Sequence, residues 1–243
     1  MRRFGLIGRK LGHSFSRNYF TDKFQREGIN ADYSLIEIGD IAVIKSIIDG
    51  DSSLCGLNVT IPYKECVLPY LDELSPEAKA IGAVNCIAIK NGYTKGFNTD
   101  IEGIDLSLNM LNIEPSCKAL IFGTGGASKA VSYILKQRNI AHKVVSRTAE
   151  RGDITYDNIT SEILAEHTLL INTTPLGMFP DINSAPDIDY NSISSSHRVF
   201  DLVYNPEPTP FMRRCIERGA SAIGGSAMLR CQAEASWRIW QSL

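Results

Sequence analysis

The chain has 243 residues, 44% of them hydrophobic, which is enough apolar material to build two cores. A net charge of -2 and a pI near 6.1, with acids and bases interspersed, leave no footprint for nucleic acid or an anionic membrane and favour small-molecule chemistry. The apolar stretch after Met1-Arg2-Arg3 is too short for a signal peptide or a membrane span, so a cytoplasmic protein is expected, as a monomer or homodimer.

In chain order, Phe4 to Ile7 reads as a strand, Tyr19 to Glu27 as a helix closed by Gly28, and Tyr33 to Ile38 as a strand. A helix over Ile41 to Ile48 and a strand over Leu54 to Val59 complete a βαβαβ series. Ala83 to Lys90 and Tyr93 to Phe97 flank Asn91-Gly92, the dipeptide of a tight type I′ hairpin. Asp100 is a candidate N-cap for a helix over Ile101 to Leu111, and Pro115 then interrupts the chain.

A second series starts at Lys118. Lys118 to Phe122 is a strand, Val131 to Leu135 lies on a helix, and Lys143-Val144-Val145, Thr168 to Asn172 and Arg198 to Leu202 are further strands. Such alternation predicts a parallel sheet with ligands at the carboxyl ends of its strands. The polar loop from Thr173 to Ser196 is either mobile or part of a site. The last helix, from about Ser226 to Trp240, needs apolar surface for Met228, Leu229, Trp237 and Trp240, which the first domain can supply. The division expected is residues 1–112 with 226–243, and residues 113–225.

Three segments carry chemistry. Lys64 and Asp100 stand in short polar segments that break off apolar runs, a pattern suited to a lysine–carboxylate pair facing a cleft. Gly123-Thr124-Gly125-Gly126-Ala127-Ser128 follows a buried strand and opens a helix, the form that holds a dinucleotide pyrophosphate, although Ser128 stands at the third glycine position. At the next strand's end, where an acid would bind the ribose of NAD, the chain reads Ser146-Arg147-Thr148 with Arg151 close behind. Arginine there suits a 2′-phosphate and so NADP; the alternative is that Arg147 and Arg151 are solvated. Six cysteines without a C-x-x-C pair are expected to be reduced packing thiols, and His13, His142, His167 and His197 have no partner at ligand or triad spacing, so no metal is expected.

Gly12-His13-Ser14-Phe15-Ser16, Asn58 to Lys64, Gly82-Ala83-Val84-Asn85, Asn98-Thr99-Asp100, Gly123 to Ser128, Ser146-Arg147-Thr148, Asn172 to Met178, and Gly224 to Gln232 together resemble, in order and along nearly the whole chain, the shikimate dehydrogenase family. The resemblance implies an α/β fold with an N-terminal α/β substrate domain, a Rossmann-like NADP-binding domain with a parallel sheet, and a C-terminal helix that returns to the first domain. It implies that Lys64 and Asp100 are catalytic, and that Ser14 and Ser16 hold the shikimate carboxylate. Thr60, Asn85, Gln232 and Tyr204 would also bind substrate. For NADP it implies Gly123, Gly125, Gly126, Ala127 and Ser128, then Ser146, Arg147, Thr148 and Arg151, then Thr173, Met178, Gly225 and Met228.

The chemistry asks for these types, because a ketone accepting hydride develops negative charge on oxygen that an ammonium can stabilise and protonate. Duller roles compete: Ser14 and Ser16 as helix caps, Asn58 and Asn85 as loop ties, Lys64 and Gln232 as surface, Asp100 as a cap. The chain departs from the family at Arg17 for proline, Phe20-Thr21 for His-Asn, Cys86 for threonine and Ser146 for asparagine, and is trimmed around Arg151 to Asn158. A quinate-using dehydrogenase and a silent NADP sensor are the rival readings.

Overall fold

The computed structural model describes every residue except His13, Pro115 and Leu243, so the features expected of His13 and Pro115 lie outside the described residues. The chain forms two compact units, Met1–Thr99 with Gln232–Leu243, and Asp100–Cys231.

The first unit runs β1 (Arg2–Gly8), α1 (Phe15–Arg26), β2 (Ala31–Glu37), α2 (Ile44–Asp49), β3 (Leu54–Val59), α3 (Tyr63–Cys66), β4 (Glu73–Leu74), α4 (Pro76–Ile81), β5 (Cys86–Lys90) and β6 (Tyr93–Phe97). Its sheet has the order β2-β1-β3-β5-β6-β4. The expected βαβαβ series supplies the parallel strands β1, β2 and β3, and the hairpin adds β5 antiparallel to both β3 and β6. Asn91 (φ 53°) and Gly92 (φ 80°) make its left-handed turn. Two reversals restore direction, so β3 and β6 both end at the same edge of the sheet.

Alternation along the strands sends Ile7, Leu57, Ile87 and Ile89 to one face, and Phe4, Leu6, Cys86 and Ala88 to the other. The second face is aromatic: Phe20 and Phe24 of α1 and Trp237 and Trp240 of the last helix pack against Phe4 and Tyr33. Gly56 is glycine because a Cβ there would come 2.2 Å from Trp240 Nε1, which donates to Ile87 O at 2.9 Å.

The second unit contains α5 (Asp100–Met110), β7 (Ala119–Phe122), α6 (Gly126–Gln137), β8 (His142–Ser146), β9 (Ile154–Thr155), α7 (Ser161–Glu166), β10 (Leu169–Asn172), β11 (Arg198–Asp201), α8 (Pro210–Ile216) and β12 (Ser221–Ile223). The last helix, α9 (Ser226–Gln241), begins in this unit and ends in the first. All six strands are parallel, in the order β12-β11-β10-β7-β8-β9. Counted from β7 this is 6-5-4-1-2-3, the doubly wound Rossmann-like arrangement.

Several elements differ from the sequence-based expectation. The first helix starts four residues earlier, at Phe15, because Ser14 caps it. Residues Ile41–Val43 form a 3-10 turn capped by Asp40 ahead of α2, so the expected single helix is divided. Asp100 lies in the first turn of α5 and not at its cap. Thr168 to Asn172, third in the expected second series, is the fourth strand, because β9 is two residues long and too short to show a period; β4, β12, α3, α4, α7 and α8 likewise lie outside the expected elements.

Candidate functional site

In the first unit the strand ends at one edge carry a buried polar network. Tyr33 donates to Asn58 Oδ1 at 2.9 Å, and Ser16 lies beside the Tyr33 phenol. Asn58 Nδ2 donates to Asn85 O at 3.2 Å and to Ser236 Oγ at 2.9 Å, and Ser236 in turn donates to Gln232 O at 3.0 Å. Asn85 Oδ1 accepts from Thr99 N at 2.6 Å, and Thr99 Oγ1 lies 3.1 Å from Asn85 Oδ1 and 3.2 Å from Ser236 Oγ. Of the residues expected at a substrate site, Asn85 joins this network by its side chain and Gln232 by its main-chain carbonyl, and Ser16 lies beside Tyr33; all three are buried. Burial holds the Tyr33 phenol well above its ordinary value, and pushes the neighbouring Cys86 thiol up to about 12. Both are neutral parts of the wall.

Lys64 reaches the same edge because β3 ends there. Thr60 N donates to Ile7 O at 2.9 Å, Tyr63 N to Thr60 O at 2.9 Å, and Val84 N to Lys64 O at 2.7 Å. Thr60 and Lys64 are half-buried. Ser14 caps α1, its Oγ accepting from Arg17 N at 3.4 Å, which leaves its hydroxyl hydrogen to donate. Asp100 directly follows the network residue Thr99 and is itself buried.

In the second unit register sets the ends of four strands level: Phe122 is opposite Val145 and Asn172, and Asn172 is opposite Asp201. The loops after β7 and β10 meet there, at the topological switch point. Thr173 donates through both N (2.9 Å) and Oγ1 (2.7 Å) to Phe122 O. Gly123 has φ 111°, and a Cβ on it would lie 2.6 Å from Thr173 Oγ1.

No side chain caps α6, whose N-cap is Gly125, and a Cβ on Gly125 would point into open space. Helix start, glycine cradle and half-buried Gly126 and Ala127 fit a pyrophosphate; Ser128 is buried in the helix. At the end of β8, Ser146 is buried and accepts from Thr148 N at 3.2 Å, while Arg147 and Arg151 are exposed. Gly225 is pressed on the Leu202 carbonyl, where a Cβ would come within 2.2 Å, and Met228 packs over Gly103. Tyr204 is half-buried after β11, and Met178 stays exposed in the loop after β10.

Polar residues that motif reading left without a role complete this edge. Asn172 Nδ2 donates to Asp201 Oδ1 at 2.9 Å, and Asp201 Oδ2 accepts from Thr209 Oγ1 at 2.6 Å. Burial pushes the Asp201 carboxyl up to about 6 despite these donors. Their signal in the sequence was a polar residue closing an otherwise apolar strand. Asn58, Asn98, Thr99, Tyr33 and Ser236 are the counterparts in the first unit. Among the described residues all six cysteines are free, no three His, Cys, Asp or Glu side chains converge, and no helix is long and apolar enough to cross a membrane.

Residues 6–87 match the family model described as the shikimate dehydrogenase substrate binding domain. A protein named shikimate dehydrogenase (NADP(+)) from Methanococcus maripaludis is 37% identical over 254 residues, spanning 97% of this chain and 90% of the relative. The crystal structure of shikimate dehydrogenase 1 from Peptoclostridium difficile superimposes with a TM-score of 0.86 at 36% identity, over 100% of this chain and 92% of that one. Shikimate 5-dehydrogenase from Thermus thermophilus, in complex with NADP(H) and shikimate, gives 0.88 at 29% identity, over 100% and 94%. The chain belongs to the shikimate dehydrogenase family.

Proposed function

We propose that this chain catalyses the reversible, NADP-dependent reduction of 3-dehydroshikimate to shikimate, a step toward chorismate and the aromatic amino acids, as a cytoplasmic monomer or homodimer. Substrate is taken by residues 1–112 with 226–243, and cofactor by residues 113–225. The observation that carries the reading is the buried wall of amides and hydroxyls at the strand ends of the first unit, Asn58, Asn85, Thr99 and Ser236, at the edge where Lys64 emerges. Such a wall suits a ligand dense in hydroxyls, because an analogue lacking one leaves a buried polar group unpaired.

Bound NADPH supplies the hydride. Lys64 donates a proton to the carbonyl oxygen as it gains charge and takes the hydroxyl proton back in the reverse direction, while Asp100 orients the ammonium and accepts a hydrogen bond from the substrate hydroxyl. Ser14 and Ser16 hold the substrate carboxylate at the start of α1, while Thr60, Asn85, Gln232 and Tyr204 bind its other polar groups. The glycine turn Gly123 to Ser128 cradles the pyrophosphate, Ser146, Arg147, Thr148 and Arg151 take the 2′-phosphate end, Gly225 and Met228 lie near the nicotinamide, and Thr173 and Met178 also bind the cofactor.

Turnover of shikimate and of quinate with NADP+ and NAD+ tests the reading. Shikimate with NADP+ is expected to be the preferred pair. Preferential turnover of quinate would reassign the substrate, and binding of NADP+ without turnover would leave a sensor.

A further inference from the structure

The polar wall of the first unit contains an amide whose two ends are treated unequally. Asn98 is 4% exposed, and its Nδ2 donates to Ala83 O at 2.9 Å. Its Oδ1 is enclosed and meets no donor; among the described residues it is the one buried side-chain polar atom in that condition. Turning the amide over would set Oδ1 against the Ala83 carbonyl, acceptor facing acceptor, so the orientation is chemically determined. An apolar residue of the same shape would bring no orphan acceptor of its own, but would leave the Ala83 carbonyl without its donor. The amide is therefore explained by its donor.

That donor acts on a single peptide plane. The carbonyl of Ala83 and the N–H of Val84 belong to one peptide unit, which accepts from Asn98 at one end and donates to Lys64 O at 2.7 Å at the other. The unit needs such ties, because it lies between the left-handed Gly82 (φ 70°) and the start of β5 at Cys86, outside the strand ladder. Lys64 sits on α3, a helix of four residues that cannot fix its own position.

We infer that Asn98 is a positioning residue for Lys64: its amide pins the Ala83–Val84 peptide, and that peptide pins the backbone from which the ammonium projects. The inference rests on the proposed role of Lys64 as proton donor. Without the tie the peptide can tip, α3 shifts, and the ammonium leaves the line of the substrate oxygen. Substrate and cofactor contacts made by other side chains stay in place.

The test is a four-protein cycle of wild type, Asn98→Leu, Lys64→Ala and the double variant, assayed with shikimate and NADP+. Asn98→Leu should lose roughly 10- to 100-fold in kcat, the scale of a displacement of about 1 Å at a reacting group. Both KM values and the Tm should hold, since leucine exchanges one orphan acceptor, Oδ1, for another, Ala83 O. In the Lys64→Ala background the same change should cost nothing further, because it acts through Lys64.

Wild-type kcat in Asn98→Leu, a loss confined to KM, or an equal loss in both backgrounds would overturn the inference. If Lys64→Ala itself keeps wild-type kcat, the reading of Lys64 fails instead. Asn98→Ala is read by the same criteria where the leucine variant is insoluble, and failure of both to fold would assign Asn98 to stability alone.

Discussion

Asn172 donates through Nδ2 to Asp201 Oδ1 at 2.9 Å, a buried amide–carboxylate bond that ties the ends of the neighbouring strands β10 and β11. Asp201 also accepts from Val203 N at 3.0 Å and Thr209 Oγ1 at 2.6 Å, so three donors converge on a carboxyl that burial nevertheless pushes up to about 6 from 3.8. The folded group thus keeps its proton to higher pH than the unfolded one. Its contribution to stability is fully present below about pH 4 and is lost as pH rises through 6.

At 1.36 kcal/mol per unit, wild type should lose roughly 3 kcal/mol relative to Asp201→Asn between about pH 4 and 7. Urea unfolding of both proteins at the two pH values checks this. Parallel pH profiles would show that Asp201 titrates as in the unfolded chain.

Lys64→Ala should lower kcat by at least ~100-fold, the contribution of a positioned general acid, with the KM for shikimate largely kept. Asp100→Asn should be severely impaired as well. Steady-state kinetics separate the outcomes: a raised KM at unchanged kcat would make Lys64 a binding residue, and near-normal kcat/KM in Asp100→Asn would leave that carboxylate to the first turn of α5.

Arg147 is exposed at the end of β8, available to a phosphate. Arg147→Ala should weaken NADP+ binding by roughly 1.5–3 kcal/mol, the range of a hydrogen bond to a charged group, with little effect on NAD+. Calorimetric titration with both cofactors decides it, and equal losses would point to a structural role.

Changing Ser14 and Ser16 together to alanine should raise the KM for shikimate far more than that for NADP+, by roughly 1.5–3 kcal/mol per hydrogen bond to the carboxylate. Ser14 also caps α1 through Arg17 N, so about 1 kcal/mol of stability should go with it. Comparing shikimate with its methyl ester isolates the charge: wild type should prefer the acid, and the double variant should lose most of that preference. An undiminished preference would move the carboxylate elsewhere, with Arg17 the first residue to examine.

Gly56→Ala places a methyl 2.2 Å from Trp240 Nε1 and threatens its bond to Ile87 O. A loss of about 1–3 kcal/mol from overpacking, with roughly 1 kcal/mol more for the hydrogen bond, is expected in denaturant unfolding. An unchanged midpoint would mean that α9 moves aside without cost.

Much of this protein was legible in the sequence because the signals were local. The hairpin at Asn91-Gly92, the glycine turn after Phe122 and the apolar runs of β3, β7 and β10 are specified by residues a few positions apart, since backbone conformation is chosen by neighbours. The family motifs extended that reading to individual side chains, but only as types in order along the chain.

The partners of those side chains were decided by the tertiary structure. Asn58 and Ser236 bond across 178 positions, and Asn85 meets Thr99 only because β3, β5 and β6 lie side by side. A buried donor or acceptor must find its complement wherever the fold brings one within 3 Å or so, and sequence periodicity carries no record of strand order. The two-residue β9 and the orphan oxygen of Asn98 lie beyond it for the same reason: each is defined by what surrounds it in space.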